Sequence, residues 1–286
     1  MGNLGKFKKK LKQSNQPLQE KPKLGETMEN LANEDTKAQA MIQEFLTRLS
    51  QTGWFDEFPE PARTEIQQST KVIYLNNKSS KPLVIIPGVY LDPDCVEKGI
   101  HKKIIEDFAN NSLGLFKPQS VEETWEDTKE DFLIKVTITT QNKQYTKQWP
   151  RKSMWVEPDF DDLIKEAVEG THTNLTVAKI IFDENYIGYI ICNKQALPKT
   201  LEAGLFVLEN YLGHPHSTTD SAIDNLLTIF KDKNSTLRLY AATLLECLYQ
   251  KYSPPSEDIY ILEQLTKDKD PLIRNAAAYI LEEYDY

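Results

Sequence analysis

The sequence predicts an α+β protein: a largely antiparallel sheet, or sheets, with flanking helices, followed by a C-terminal stack of helix pairs. Three observations carry the expectation. The last seventy residues repeat at an offset of 36, so that Lys231-Asp232-Lys233-Asn234-Ser235-Thr236-Leu237-Arg238 returns as Lys267-Asp268-Lys269-Asp270-Pro271-Leu272-Ile273-Arg274. Upstream, strand-like segments come two at a time before each helical one, an order that suits antiparallel pairing. A doubly wound nucleotide-binding sheet would alternate single strands with helices and open on a glycine-rich loop; neither pattern is present.

Residues 1–26 are polar, lysine-rich and broken by Pro17 and Pro22, which reads as a flexible basic tail. Leu4, Phe7 and Leu11 would share one helical face among lysines, the pattern of a helix resting on anionic lipid. A solvated tail accounts for the same residues. Lys6 stands where an N-myristoylation signal beginning at Gly2 needs Ser or Thr. Residues 27–216 are expected to form an α+β domain, or two sub-units at 27–118 and 119–216.

Within that domain, Met41, Ile42, Phe45, Leu46 and Leu49 recur at three- and four-residue steps and predict one buried helix face, ended by Gly53. Strands are expected at 71–75 and 82–86, closed by Pro87-Gly88. Asp92-Pro93-Asp94 suggests the capped start of a helix over 95–110. Alternation across 131–140, a turn at Gln141-Asn142 and a partner at 143–149 predict a hairpin. A helix over 158–170 follows, then strands at 176–182 and 186–192. Pro198 is expected to open a helix across 201–212.

The C-terminal region, 217–286, should hold helices at 220–230, 235–252, 255–266 and 271–284. The copies also match at Ala241-Ala242 over Ala277-Ala278 and at Ile223, Leu226 and Ile229 over Ile259, Leu262 and Leu265. The run Asp270-Pro271-Leu272-Ile273-Arg274-Asn275-Ala276-Ala277-Ala278 resembles the second helix of a HEAT-like repeat. In that family an Asp-Pro start precedes a branched apolar residue, an Arg and a run of alanines. Asp270 suits a helix cap, Pro271 the first helical position, and the alanines close packing. The first copy departs from the pattern, with Asn234-Ser235 at its start and Tyr240 in place of Ala276, and the period is shorter than the usual HEAT length. The resemblance implies a protein-binding scaffold. Two helix pairs are fewer than the three that usually stand alone, so the α/β body is expected to shield the open end of the stack.

Composition narrows the function classes. Residues 1–24 carry seven lysines against one glutamate, so the net charge of −9 leaves about −15 on the remainder. Such an acidic body disfavours nucleic acid, whose phosphates need a basic face, and suits a basic protein partner. The longest apolar runs, such as residues 82–86, are too short to span a bilayer. Cys95, Cys192 and Cys247 are scattered, with no disulfide framework or zinc spacing, and a cytoplasmic location is the expectation.

Candidate sites are few. Trp149, Arg151 and Trp155 lie in one short segment, where Trp and Arg together would anchor an interface and a buried Trp would cover the sheet. Arg238 and Arg274 hold equivalent repeat positions and either meet a partner or bridge neighbouring repeats. His214 and His216 are the weak metal candidates, with His101 and His172 elsewhere; they lack a third ligand at a recognisable spacing, so no metal or cofactor is expected. No nucleophile motif occurs, and Asp92/Asp94 and Asp161/Asp162 are accounted for as helix-start residues. The sequence therefore points to a non-enzymatic protein, a scaffold, adaptor or immunity-type inhibitor, holding a partner where the helical stack meets the α/β surface. The alternative is an enzyme with a dispersed active site built on Asp92, Asp94 or the His214/His216 loop.

Overall fold

A computed structural model describes residues 24–75, 81–91, 97–127, 132–150, 159–183, 186–207, 217–249 and 252–283. Arg151, Trp155, His214, His216, Asp92 and Asp94 lie outside these residues, as does most of the basic tail. The chain divides into two compact units, Met1–Thr36 and Lys37–Tyr286. All contacts below belong to the second. The protein is α+β, and every strand pairing among the described residues is antiparallel.

Helix α1, Leu24–Gln51, places Met41, Ile42, Phe45, Leu46 and Leu49 in the core and ends before Gly53, at φ +85°. Trp54 follows it into the interior, fully buried. Helix α2, Glu60–Ser69, is an element the pattern did not announce, because only Ala62 and Ile66 of its ten residues are buried. Strands β1, Lys71–Tyr74, and β2, Pro82–Ile85, form a hairpin. Strand β3, Val89–Leu91, was also unannounced and pairs far along the chain.

Helix α3 spans Ile100–Asn111 and not 95–110. Its N-cap is Gly99, at φ +93°, a left-handed conformation glycine adopts freely and which breaks helical continuity upstream. Strands β4, Ser120–Asp127, β5, Phe132–Thr139, and β6, Gln144–Pro150, form a meander in the order β4-β5-β6. Ile134, Val136 and Ile138 alternate along β5 and are fully buried. Strand β4 escaped the hydrophobic pattern because it is an acidic strand with only Val121 among its apolar residues fully packed.

Helix α4, Phe160–Thr171, buries Phe160, Leu163, Ile164, Ala167 and Val168 and packs on both β6 and β7. Strands β7, Leu175–Asp183, and β8, Tyr186–Asn193, join β3 in a second three-stranded sheet, ordered β3-β8-β7. That sheet therefore draws strands from both halves of the α/β sequence. Gly88 makes the crossing possible: a Cβ there would lie 2.8 Å from the Tyr189 carbonyl oxygen of β8.

Where a helix is expected over 201–212, the described residues hold α5, Leu197–Glu202, followed by non-helical backbone to 207; residues 208–212 lie outside the described ones. Gly204, at φ +67°, turns the chain out of the helix, and its missing Cβ lets Leu226 approach.

Helices α6, Ser217–Lys231, α7, Arg238–Tyr249, α8, Ser256–Leu265, and α9, Pro271–Glu282, complete the chain. Helix α6 packs on α7, α8 on α9 and α7 on α9, while α7 also meets β2 and β7. Both repeat copies carry the same turn: Asp232 Oδ1 accepts from the Asn234 amide and Asp268 Oδ1 from the Asp270 amide, each at 2.9 Å. They differ in how the next amide is satisfied. In the second copy Asp270 accepts from the Leu272 amide at 2.8 Å. In the first, position 234 is asparagine, and the equivalent Thr236 amide donates to Glu44 of α1 at 2.6 Å. Glu44 also accepts from the hydroxyls of Ser235 and Thr236 and pairs with Arg48.

Glu44 thus fastens the turn that leads into α7 and ties α1 to the stack. Burial raises its pKa, but the bonds from Thr236, Ser235 and Arg48 outweigh burial and hold it below the usual range. Glu44→Ala is expected to destabilise the protein by about 1–2 kcal/mol, the scale of losing hydrogen bonds to a charged, part-exposed group, measured by urea unfolding near neutral pH. An unchanged midpoint would show that these bonds are redundant.

Candidate functional site

A cavity of about 160 Å³ lies between α7 and α9. Its α7 side is Ala242, Thr243 and Glu246; its α9 side is Asn275, Ala276, Tyr279 and Ile280. The floor is open for a sequence reason. Where the first copy has Tyr240, fully buried with its hydroxyl donating to the Leu205 carbonyl, the second has only the methyl group of Ala276. The small side chain leaves open space beside α7.

Lys81, just before β2, closes the cavity from the α/β body. The Leu75 amide donates to the Lys81 carbonyl at 3.0 Å, holding its backbone in the β1–β2 hairpin. Its ammonium lies 2.5 Å from Glu246 Oε1 and 4.4 Å from the centroid of the Tyr279 ring. The Lys81 and Glu246 side chains are 16% and 12% exposed, so the pair is largely withdrawn from solvent. Tyr279 is 37% exposed and forms the outer wall. Burial raises its phenol pKa, opposed by Lys81 and reinforced by Glu246 and Glu283.

The other candidate residues are held by structural contacts. Arg238 is buried: its Nε donates to the Phe230 carbonyl at 2.8 Å and its Nη2 to Asp268 Oδ2 at 2.7 Å, bridging the two repeats. Arg274 donates to the carbonyls of Asp268 and Lys269, at 2.7 and 3.0 Å, in the turn before its own helix. Trp149 is 6% exposed, with its indole N–H donating to Asp159 Oδ1 at 2.6 Å. It stacks on His101, at 6.0 Å and 13° between rings.

That stacking leads to a second cluster, which sequence reading missed. Glu123 of β4 accepts from the amides of Gly99 and Lys102, at 2.8 and 2.9 Å, and from the Trp125 indole. His101 Nδ1 stands 3.6 Å from the same carboxylate, and both side chains are almost completely buried. Burial raises the Glu123 pKa, yet His101, the Lys102 and Gly99 amides and Trp125 together hold it near about 2. The cluster fixes the start of α3 against β4, since Gly99 has no side chain with which to cap. Lacking solvent access, it has the geometry of a fastening.

The acidic residues of α4 also have lysine partners: Asp161 faces Lys179 at 3.7 Å and Asp162 faces Lys147 at 3.3 Å. Cys192 and Cys247 are both buried free thiols, and burial raises the pKa of Cys192. No group of three or more His, Cys, Asp or Glu side chains among the described residues is placed to hold a metal ion. No helix among them is long and apolar enough to cross a membrane.

The α7–α9 groove is thus the place where open volume, a semi-exposed aromatic ring and a desolvated ion pair meet. Compared with protein-family models, curated proteins and solved structures, the chain finds no match. The groove's own chemistry must therefore carry the functional reading.

Proposed function

We propose that this is a non-enzymatic interaction protein, of scaffold, adaptor or inhibitor type, that holds a basic protein partner in the groove between α7 and α9. The observation that carries the reading is the cavity floored by Ala242 and Ala276 and walled by Tyr279, with Lys81 and Glu246 at its edge. Such a site offers a partner an apolar anchor position and an aromatic wall, the features that concentrate binding energy at interfaces. The repeat geometry supports it, because stacked helix pairs expose a continuous face for protein recognition. Charge supports the partner's sign: residues 217–286 hold twelve acidic against seven basic side chains.

The test restores to the second copy the residue found in the first. Ala276→Tyr fills the groove, and Tyr279→Ala removes its wall. Tagged full-length wild type and both variants, each checked for folding by circular dichroism, are used to capture proteins from the native extract. The protein retained by wild type is then purified and its affinity measured. Each variant is expected to weaken that affinity at least tenfold. A purified partner that binds all three equally, or an extract in which no protein distinguishes them, overturns the groove as the binding site.

A further inference from the structure

We infer that the groove is built to receive a lysine side chain of the partner protein, and that Lys81 occupies that position in its absence. The inference rests on the groove being the binding site and names what enters it. The ammonium of Lys81 is held by a carboxylate 2.5 Å away and a ring face 4.4 Å away, both from the helical stack. These are the two groups that recognise a primary ammonium: a charge-assisted hydrogen bond and a cation–π contact. They come from α7 and α9, whereas the lysine comes from a hairpin 165 positions earlier in the chain. The notch therefore belongs to the stack, and the chain fills it with a residue from elsewhere.

Exchange is geometrically simple. The backbone of Lys81 is fixed by its hydrogen bond from Leu75, so withdrawal needs only side-chain rotation. The adjoining space, about 160 Å³, equals the volume of about five liquid waters and accommodates the aliphatic stem of a second lysine. Glu246 lies in the groove and Glu283 bonds Tyr279, so departure of Lys81 leaves two carboxylates beside the ring. A neutral or acidic partner residue would leave the buried Glu246 charge uncompensated, while a partner lysine replaces one ammonium by another. The site thus selects for a cation by penalising everything else.

The experiment uses the full-length chain and a defined probe, Nα-acetyl-lysine methylamide, with the norleucine analogue as an uncharged control of equal stem. Binding is followed by NMR titration in wild type, Lys81→Met, Lys81→Met/Glu246→Gln and Lys81→Met/Tyr279→Leu. Lys81→Met is expected to bind the lysine probe at least tenfold more tightly than wild type, with no such gain for norleucine. Glu246→Gln should abolish the gain and Tyr279→Leu reduce it several-fold. Equal affinity in wild type and a folded Lys81→Met, or a gain that survives Glu246→Gln, overturns the inference. Should Lys81→Met fail to fold, the wild-type chain reports instead: saturating probe must shift the Lys81 ammonium resonance, and an unmoved signal is the overturning result. A partner lost on Ala276→Tyr alongside no lysine gain in Lys81→Met sinks this inference and leaves the groove reading standing.

Discussion

Replacing Glu123 by glutamine is expected to lower the unfolding free energy by about 1–2 kcal/mol near neutral pH, the scale of weakening charge-assisted hydrogen bonds at a half-buried carboxylate, whose pKa those bonds hold at about 2. The carboxylate accepts from Gly99, Lys102 and Trp125 and faces His101, so glutamine loses the charge that strengthens each contact. Because the folded pKa is depressed, this stability is fully present above about 4.5 and is lost as pH falls toward about 2. Urea unfolding of wild type and Glu123→Gln at a series of pH values should give two curves that converge as pH falls through that window. A constant gap would mean that shape, and not charge, is what Glu123 supplies.

Glu123 also shows why the fold was only partly legible. Segments that bury one regular face, such as α1, β5, α4 and the C-terminal helices, declare themselves by period, and the structure places them near their expected positions. Strand β4 does not, because its residues serve as an exposed edge and as the cap of a distant helix. Helix α2 buries two residues and β3 is three residues long, too little for any period to register. Of the helix expected over 201–212, the described part ends at Glu202, and Gly204 follows in a left-handed conformation with Leu226 packed where a Cβ would stand. Such contacts join positions that no local pattern links.

The candidate site divides along the same line. The duplicated sequence located α7 and α9, and one of its mismatches, Tyr240 against Ala276, marks where the groove opens. That mismatch was visible as a departure from a family pattern, and its meaning as missing volume emerges only when the helices are side by side. Lys81 carried no signal, since its partner is 165 positions away. Trp149 read equally well as anchor or core, and its hydrogen bond to Asp159 and stacking on His101 decide for the core.

Arg238→Leu should cost about 3–5 kcal/mol, the range for removing one partner of a buried ion pair. The guanidinium reaches two pieces of structure from the start of α7. It donates to the Phe230 carbonyl near the C-terminal end of α6, where a cation also meets the favourable end of the helix dipole. Two nitrogens face Asp268, at 2.7 and 3.5 Å, in the turn that leads into α9, and both side chains are about nine-tenths buried. Leucine fills part of the space and leaves Asp268 with the Asp270 amide but without its guanidinium partner; lysine is a poor substitute, having neither the Nε donor nor the planar fork. The Arg238 bond is the principal cause of the lowered Asp268 pKa, so the wild-type advantage is present above about 3.8 and fades as pH falls below it. Two readouts separate this clamp from general core damage. Asp268→Asn added to Arg238→Leu should recover part of the loss, because the orphaned charge is gone. Amide exchange should accelerate more in α8 and α9 than in β4–β6, because the bridge joins the second helix pair to the first. Uniform acceleration across all elements, or a loss below about 1 kcal/mol, would show that packing of α7 on α9 holds the repeats together without the arginine.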